Sequence, residues 1–261
     1  MIFDTHMHCE FSCDSSMKIP DAVAAADAEN IGMTLTEHWD YDYPTNPEAF
    51  TYDIDACFSA FAPYRSKSRL IGIEIGMQVQ TTEADEKVAT GHDFDFVLGS
   101  IHCAGHRDLY EKTSYAGRTR DEVIKEFLCD SILCVEQHDN FDAFAHIDYI
   151  CRYWPYVGAE RELRLEDNAE LFDKIFKLLI EKNKPIEINT RRLDDEKAVQ
   201  GLLLLYKRYQ ELGGKYCTLG SDAHYKEHVG RRMSEAIALA RAVNLKPVYF
   251  RERKMQIMEG L

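Results

Sequence analysis

Histidines and carboxylates recur along this chain at the ends of short apolar runs, where they could hold metal ions. The first pair is His6 and His8, which follow Ile2-Phe3, with Asp14 a few residues on. In extended backbone, residues i and i+2 project from one face, so both imidazoles point to one place. Imidazole and carboxylate are the natural ligands of zinc, iron and manganese. A single His-x-His at a strand end is more often hydrogen-bonded or exposed than metal-bound, and recurrence is what changes the reading. His38 closes Met33-Thr-Leu-Thr-Glu-His, and Glu74 lies in Leu70-Ile-Gly-Ile-Glu-Ile. His102 closes the run that begins at Phe94, and His146 closes Phe141-Asp-Ala-Phe-Ala-His. Asp222 and His224 repeat the i, i+2 arrangement at the end of the run from Tyr216. These nine nitrogen and oxygen ligands exceed the needs of one zinc ion and suit two or three divalent transition metals (Zn, Fe or Mn) bridged by carboxylate and hydroxide.

The elements that must position these residues alternate along the chain. Strands are expected at 3–6, 33–38, 70–75, 94–102, 141–146, 185–189 and 216–224, with a short one at 248–250. Helices are expected at 20–30, about 52–66, 120–137, 162–183, 195–212 and 232–243. Pro20 suits a helix start and Gly32 its end. Helix 162–183 carries Leu171, Phe172, Ile175, Phe176, Leu178 and Leu179 at helical spacing. Strand and helix in alternation point to an α/β protein with a parallel sheet, and about seven such units point to a barrel. In an α/β barrel the C-terminal strand ends converge on one face. Nearly every candidate ligand falls at such an end.

The remaining candidates have plainer readings. His92, His106, His138 and His228 have no strand-end placement and are read as loop or surface residues, with His106 and His228 nearest the mouth. Glu37 should point away from His38 and pack or pair elsewhere, and Glu10 could hydrogen-bond a ligand histidine. Asp40, Tyr41, Asp42 and Tyr43 are expected at the mouth of the site.

A chain of 261 residues with 45% hydrophobic and 29% charged residues suits a single α/β domain spanning 1–261. No run has transmembrane length and no signal segment is evident, so the expectation is a cytoplasmic protein without a membrane partner. The eight cysteines are scattered and read as reduced thiols, with Cys9, Cys13 and Cys103 beside candidate ligands. A formal charge of −14 opposes nucleic-acid binding.

In order, His6-Met-His8, Thr36-Glu-His38, Gly72-Ile-Glu74-Ile-Gly76, Gly99-Ser-Ile-His102, Ala145-His146-Ile-Asp148 and Gly220-Ser-Asp222-Ala-His224 resemble the motifs of the PHP (polymerase and histidinol phosphatase) superfamily. Within it, the segments 8–16, 72–78, 95–102 and 186–190 are similar to the histidinol-phosphatase branch. The resemblance implies a distorted (β/α)7 TIM-like barrel and a trinuclear site. By that likeness His6, His8, Glu74 and Asp222 hold one metal. A second is held by His102 and His146 with Glu74 as bridge, and a third by Asp14, His38 and His224. It also implies hydrolysis of a small phosphate monoester, L-histidinol phosphate in the first place, by a metal-bridging hydroxide, as a step of histidine biosynthesis. After Asn189-Thr190 the family often continues with small residues and a later arginine, whereas here Arg191-Arg192 follows at once. Arg152, Arg191 and Arg192 are therefore the phosphate-binding candidates, because a guanidinium fork matches phosphate oxygens. The rival readings are a PHP phosphoesterase for a nucleotide or oligonucleotide end, a metal-dependent amidohydrolase and a non-catalytic metal-binding module.

Overall fold

Runs that are apolar on both faces form the middle of a parallel sheet, because helices must cover each side of it. The structure, a computed structural model, describes residues 1–156 and 161–261. Its elements in order are β1 (Phe3–Asp4), α1 (Ile19–Ala28), β2 (Gly32–Trp39), α2 (Ile54–Phe61), β3 (Arg69–Gly76), α3 (Thr82–Gly91), β4 (Phe96–Ser100), β5 (Cys103–Ala104), β6 (Arg107–Asp108), α4 (Arg120–Gln137), β7 (Ala143–Phe144), α5 (Ala169–Glu181), β8 (Ile186–Asn189), α6 (Glu196–Glu211), β9 (Tyr216–Gly220), α7 (Met233–Ala242), β10 (Lys246–Arg251) and β11 (Lys254–Ile257). Strands β5 and β6 form a small separate hairpin.

The main sheet runs β1-β2-β3-β4-β7-β8-β9-β10-β11. Every pairing from β1 to β10 is parallel and only β10–β11 is antiparallel. Beyond the regular strands, the continuation of β1 lies against that of β9. Thr5 N–H donates to Leu219 O, Asp222 N–H to His6 O and His8 N–H to Ala223 O, each at 2.8 Å. Three bonds in place of a full ladder bring the continuation of β9 back beside that of β1, so β1-β2-β3-β4-β7-β8-β9 curl toward a distorted barrel that regular strand pairing leaves open, with β10 an eighth parallel strand beyond β9. The same three bonds bring the His6-x-His8 and Asp222-x-His224 pairs side by side.

Helix ends follow local chemistry. The Thr119 hydroxyl accepts from Glu122 N–H while the Glu122 carboxylate caps Thr119 N–H, a reciprocal start for α4. Asp195 caps α6 and Asp53 caps α2, which stops at Phe61, ahead of Pro63. Helix α5 buries Phe172, Ile175, Phe176 and Leu179, one stripe at helical spacing. It starts at Ala169 rather than Glu162; a short 3-10 turn at Leu165–Asp167 precedes it, and the Glu162 carboxylate is turned inward to Arg192. Helix α1 ends at Ala28, and Asn30 (φ 52°) makes the left-handed turn expected of Gly32. Gly32 instead opens β2, where a Cβ would lie 2.5 Å from the Phe3 ring.

The C-terminal hairpin is longer than the strand expected at 248–250. Arg251 pairs with Lys254, so Glu252 and Arg253 form a two-residue turn, both with positive φ (51° and 60°). Non-glycine residues there cost about 1–2 kcal/mol each, and contacts at the N-terminal ends of β4 and β7 offset this. Arg253 donates to Asp142 Oδ2 (2.5 Å), Ala89 O (3.1 Å) and Asn140 O (2.7 Å), and Glu252 N–H donates to Asp95 Oδ1 (3.0 Å). Val248 and Phe250 pack with Phe96, Leu98, Ala143 and Ala145. Arg253→Ala should therefore lower the unfolding free energy of metal-free protein by about 2–4 kcal/mol. The check is a urea titration in chelator, with a lower midpoint and an unchanged slope. A shift under 0.5 kcal/mol would make the hairpin an ornament.

Candidate metal centre

Eight of the nine candidate ligands are mostly or fully buried; Asp14 is the more open one. Glu74, in β3, is at the middle. Its Oε2 lies 3.3 Å from His6 Nε2, 3.4 Å from His8 Nε2 and 2.9 Å from His38 Nδ1. Its Oε1 lies 2.9 Å from His146 Nε2 and 3.3 Å from His102 Nε2. Asp222 Oδ1 is 3.8 Å from His6 Nε2 and 3.6 Å from His8 Nε2. On the open side, Asp14 Oδ2 sits 3.1 Å from His224 Nε2 and 3.5 Å from His38 Nε2. The three sets expected from the sequence are thus each drawn together. Groups with mutually close ligand atoms include His6-His8-Asp222, His8-His38-His224 and His38-Glu74-His102.

Two observations test whether cations fit here. Among the described residues, the buried Glu74 Oε2 and His38 Nδ1 have no hydrogen-bond partner although they are in near contact. His6 Nε2 and His8 Nε2 face one another at 3.0 Å, an arrangement of two imidazole nitrogens that one proton or one cation can satisfy. Several lone pairs converging on a buried point suit divalent ions better than protons.

The charge balance agrees. Burial alone would raise the Glu74 carboxyl, but His6, His102 and His38 outweigh it and hold it well below the carboxylate range. Asp222 is likewise held low, against burial, by Arg152, His6 and Arg191. Burial pushes His102 down, yet Asp40 and Glu74 bring it up to about 9. His8 is pushed well down by burial and by His38 and His224. Protons on some imidazoles answer the carboxylates here. Divalent cations at the same point would take over that role and leave the imidazoles neutral.

A second layer of carboxylates, not found from the sequence, aims these rings. Asp40 Oδ1 accepts from His102 Nδ1–H (2.7 Å), and a Cβ on Gly76 would fall 1.8 Å from that oxygen, so the glycine makes its room. Ser12 accepts His38 N–H (3.0 Å), lies 3.3 Å from His8 Nδ1 and donates to Glu37. Glu37 does point away from the cluster, and it also takes Cys9 N–H, so it clamps the loop that carries His8. Burial raises its carboxyl to about 7. Asp4 receives N–H groups of Ser221 and Gly230 (2.8 Å each), tying β1 to the loop after β9. The signal for Asp40 was the glycine at the end of β3, which marks a close neighbour.

Above the cluster opens a cavity of about 450 Å³. Arg152 and Arg191 are in its wall; Arg152 donates to Asp222 Oδ2 (2.6 Å), and Arg191 is 3.5 Å from Asp222 Oδ1. Arg192 does not reach the cavity: its guanidinium is buried against Asp148 (2.8 Å) and Glu162. Of the expected mouth residues, Asp40 is deep beside His102 and Tyr43 lines the wall, while Tyr41 and Asp42 are outside it. Asp108, Tyr110, Glu111, Tyr149, Tyr153 and Tyr225 also line the wall, with Thr45 and Phe50. His228 joins Arg191 and Arg231 in an adjoining recess, but His106 bonds Gln78 and Gln80 instead. His138 is buried at the end of α4 against Asp85, contrary to a surface reading. Glu10 caps the start of α1 through Ile19 N–H (2.7 Å) rather than touching a histidine. Cys9 and Cys103 are buried, and burial, the largest cause, raises both thiols far up.

Fold and site together define a largely parallel α/β fold with a candidate metal centre at one end of its strands, and the chain belongs to the PHP domain family, whose model matches residues 4–191. It is 41% identical over 256 residues to a probable histidinol-phosphatase of Clostridium acetobutylicum, covering 98% of this chain and 99% of that one. It is 31% identical over 228 residues to a histidinol-phosphatase of Lactococcus lactis, covering 85% of this chain and 83% of that one. Among solved structures, it resembles histidinol phosphate phosphatase from L. lactis complexed with zinc, L-histidinol and phosphate. That likeness has a TM-score of 0.87 at 28% identity and covers 98% of each chain. Among the described residues, no helix is long and apolar enough to cross a membrane.

Proposed function

We propose that this chain, acting as one PHP unit, hydrolyses L-histidinol phosphate to L-histidinol and phosphate. The observation that carries the reading is the cavity. It joins the His/Asp/Glu cluster, two arginines and an acidic, aromatic wall in a fold closely similar to a protein solved with zinc, histidinol and phosphate. Phosphate monoesters hydrolyse extremely slowly unaided, so the site must supply a nucleophile and neutralise phosphoryl charge. His6, His8, Glu74 and Asp222 would hold one divalent metal, Glu74, His102 and His146 a second, and Asp14, His38 and His224 a third. Such metals, zinc, iron or manganese, lower the pKa of bound water and neutralise phosphoryl oxygens.

The chain's own residues then do the positioning. Arg152 and Arg191 take phosphoryl oxygens through their guanidinium forks. Asp108 and Glu111 face the cationic amine, and Tyr149, Tyr153 and Tyr110 offer rings for the imidazole. Asp40 keeps His102 oriented through its Nδ1–H.

The test is phosphate release from L-histidinol phosphate beside nucleotide and sugar phosphates, on protein of measured metal content. A preference of at least a hundredfold for histidinol phosphate, lost in chelator and regained with zinc, manganese or iron, is expected. Preferred turnover of another ester would discard the substrate. No turnover of any ester by metal-loaded protein would sink the catalytic reading.

A further inference from the structure

We infer that Glu187 is a positioning residue whose one carboxylate sets two ligand histidines, His6 and His146, so that both present Nε2 to Glu74. This rests on the metal-dependent reading above. Glu187 lies in β8 between Ile186 and Ile188 and is wholly buried. Its Oε1 is 2.7 Å from His6 Nδ1, and its Oε2 accepts His146 N–H at 2.9 Å and the Asn189 amide at 3.1 Å.

A carboxylate can only accept, so His6 carries its proton on Nδ1 and leaves the Nε2 lone pair free. That Nε2 is the atom near His8 and Glu74 (3.0 and 3.3 Å). At the other oxygen, the bond to His146 N–H fixes the chain just past β7, which places His146 Nε2 2.9 Å from Glu74 Oε1. One group on β8 therefore registers a ligand from each side, one at the end of β1 and one beyond β7.

The surroundings are built for it. A Cβ on Gly220 would fall 2.1 Å from Glu187 Oε1, so β9 needs glycine there. The Tyr206 hydroxyl donates to the Glu187 carbonyl (3.1 Å) from the outer side. His6, His146 and Glu187 are close enough to hold an ion together. Both oxygens of Glu187 are already engaged by N–H groups, however, and it does not line the cavity, so it acts through the histidines.

The experiment compares wild type with Glu187→Gln and Glu187→Asp. It measures zinc affinity by competition with a chromophoric chelator, melting of the metal-free form, and kcat at limiting and excess zinc. Both variants should melt within a few degrees of wild type and bind zinc about 10–100-fold more weakly. Activity should fall at limiting zinc and partly return at excess, with Asp, too short to reach both partners, no better than Gln. Wild-type zinc affinity in a folded variant would overturn the inference. So would failure of both variants to fold, which would make Glu187 part of the scaffold only. If wild type binds zinc but releases no phosphate from histidinol phosphate, the substrate reading fails while the zinc comparison still decides the role of Glu187.

Discussion

Glu74→Gln should leave a folded protein that has lost most of its metal and at least about a thousandfold in kcat, about 4 kcal/mol of barrier. No other side chain in the cluster reaches so many partners: its two oxygens lie within 3.4 Å of nitrogens on His6, His8, His38, His102 and His146. In the proposed assignment it would serve as a ligand at two metal positions. The amide keeps the shape, removes the charge that offsets two cations and places an N–H₂ donor among imidazoles. Metal content by mass spectrometry and kcat at saturating substrate are the readouts, with circular dichroism to verify folding. A Glu74→Gln protein that keeps its full metal complement and more than a tenth of kcat would remove that double role from the reading. The same logic sets a pH dependence. Ligand imidazoles must be neutral to bind metal, and in the metal-free site the neighbouring carboxylates hold His6 and His38 well above the ordinary imidazole range and bring His102 up to about 9, so protons compete with metal from about pH 9 downward and more strongly as pH falls. Six imidazoles take part, so metal loss on dialysis against chelator should be much faster at pH 5 than at pH 8.

The candidate metal ligands, Asp14 apart, were legible because each breaks a rule of its surroundings. A histidine or acid at the end of a run that is otherwise buried on both faces has no packing reason to be there. The strands were legible for the same reason: β2, β3 and β4 are buried almost throughout, as parallel strands between layers must be. Helix α3 was not, because Thr82–Gly91 is largely polar and buries only Asp85 and Ala89, which makes no stripe. The carboxylates that orient the histidines were also hidden. Glu187 in Ile186-Glu-Ile-Asn189 looks like the solvent side of an alternating strand, and only the fold reveals that both sides are interior. Arg191 and Arg192 could not be separated from spacing alone. The turn after β8 sends one into the cavity wall and the other back to Asp148 and Glu162, and which goes where depends on acids remote in sequence.

Arg152→Ala should lower kcat/KM for the phosphate monoester by about 10²–10³-fold, or about 2.7–4 kcal/mol, the usual worth of an oriented donor on developing charge. Arg152 has two roles in this site. Its guanidinium is buried in the cavity wall, where a phosphoryl oxygen feels a low dielectric, and it holds Asp222 through a 2.6 Å bond. Burial would push its proton off, but Asp222, first among the charges that oppose burial, holds it firmly charged. Arg152→Lys separates the two roles. The ammonium keeps the charge near Asp222 but loses the planar fork, so it should recover no more than about tenfold of the loss. Arg191, half-exposed and 3.5 Å from Asp222, is screened by water, so Arg191→Ala should cost about tenfold. Inhibition by inorganic phosphate gives an independent readout, because a residue that only steadied Asp222 would change metal content and leave phosphate affinity of the loaded protein alone. Wild-type phosphate inhibition together with a kcat/KM within threefold of wild type in Arg152→Ala would move the phosphate contact elsewhere. The recess formed by Arg191, His228 and Arg231 would then be the next place to probe, since it adjoins the cavity through Asp222 and His224.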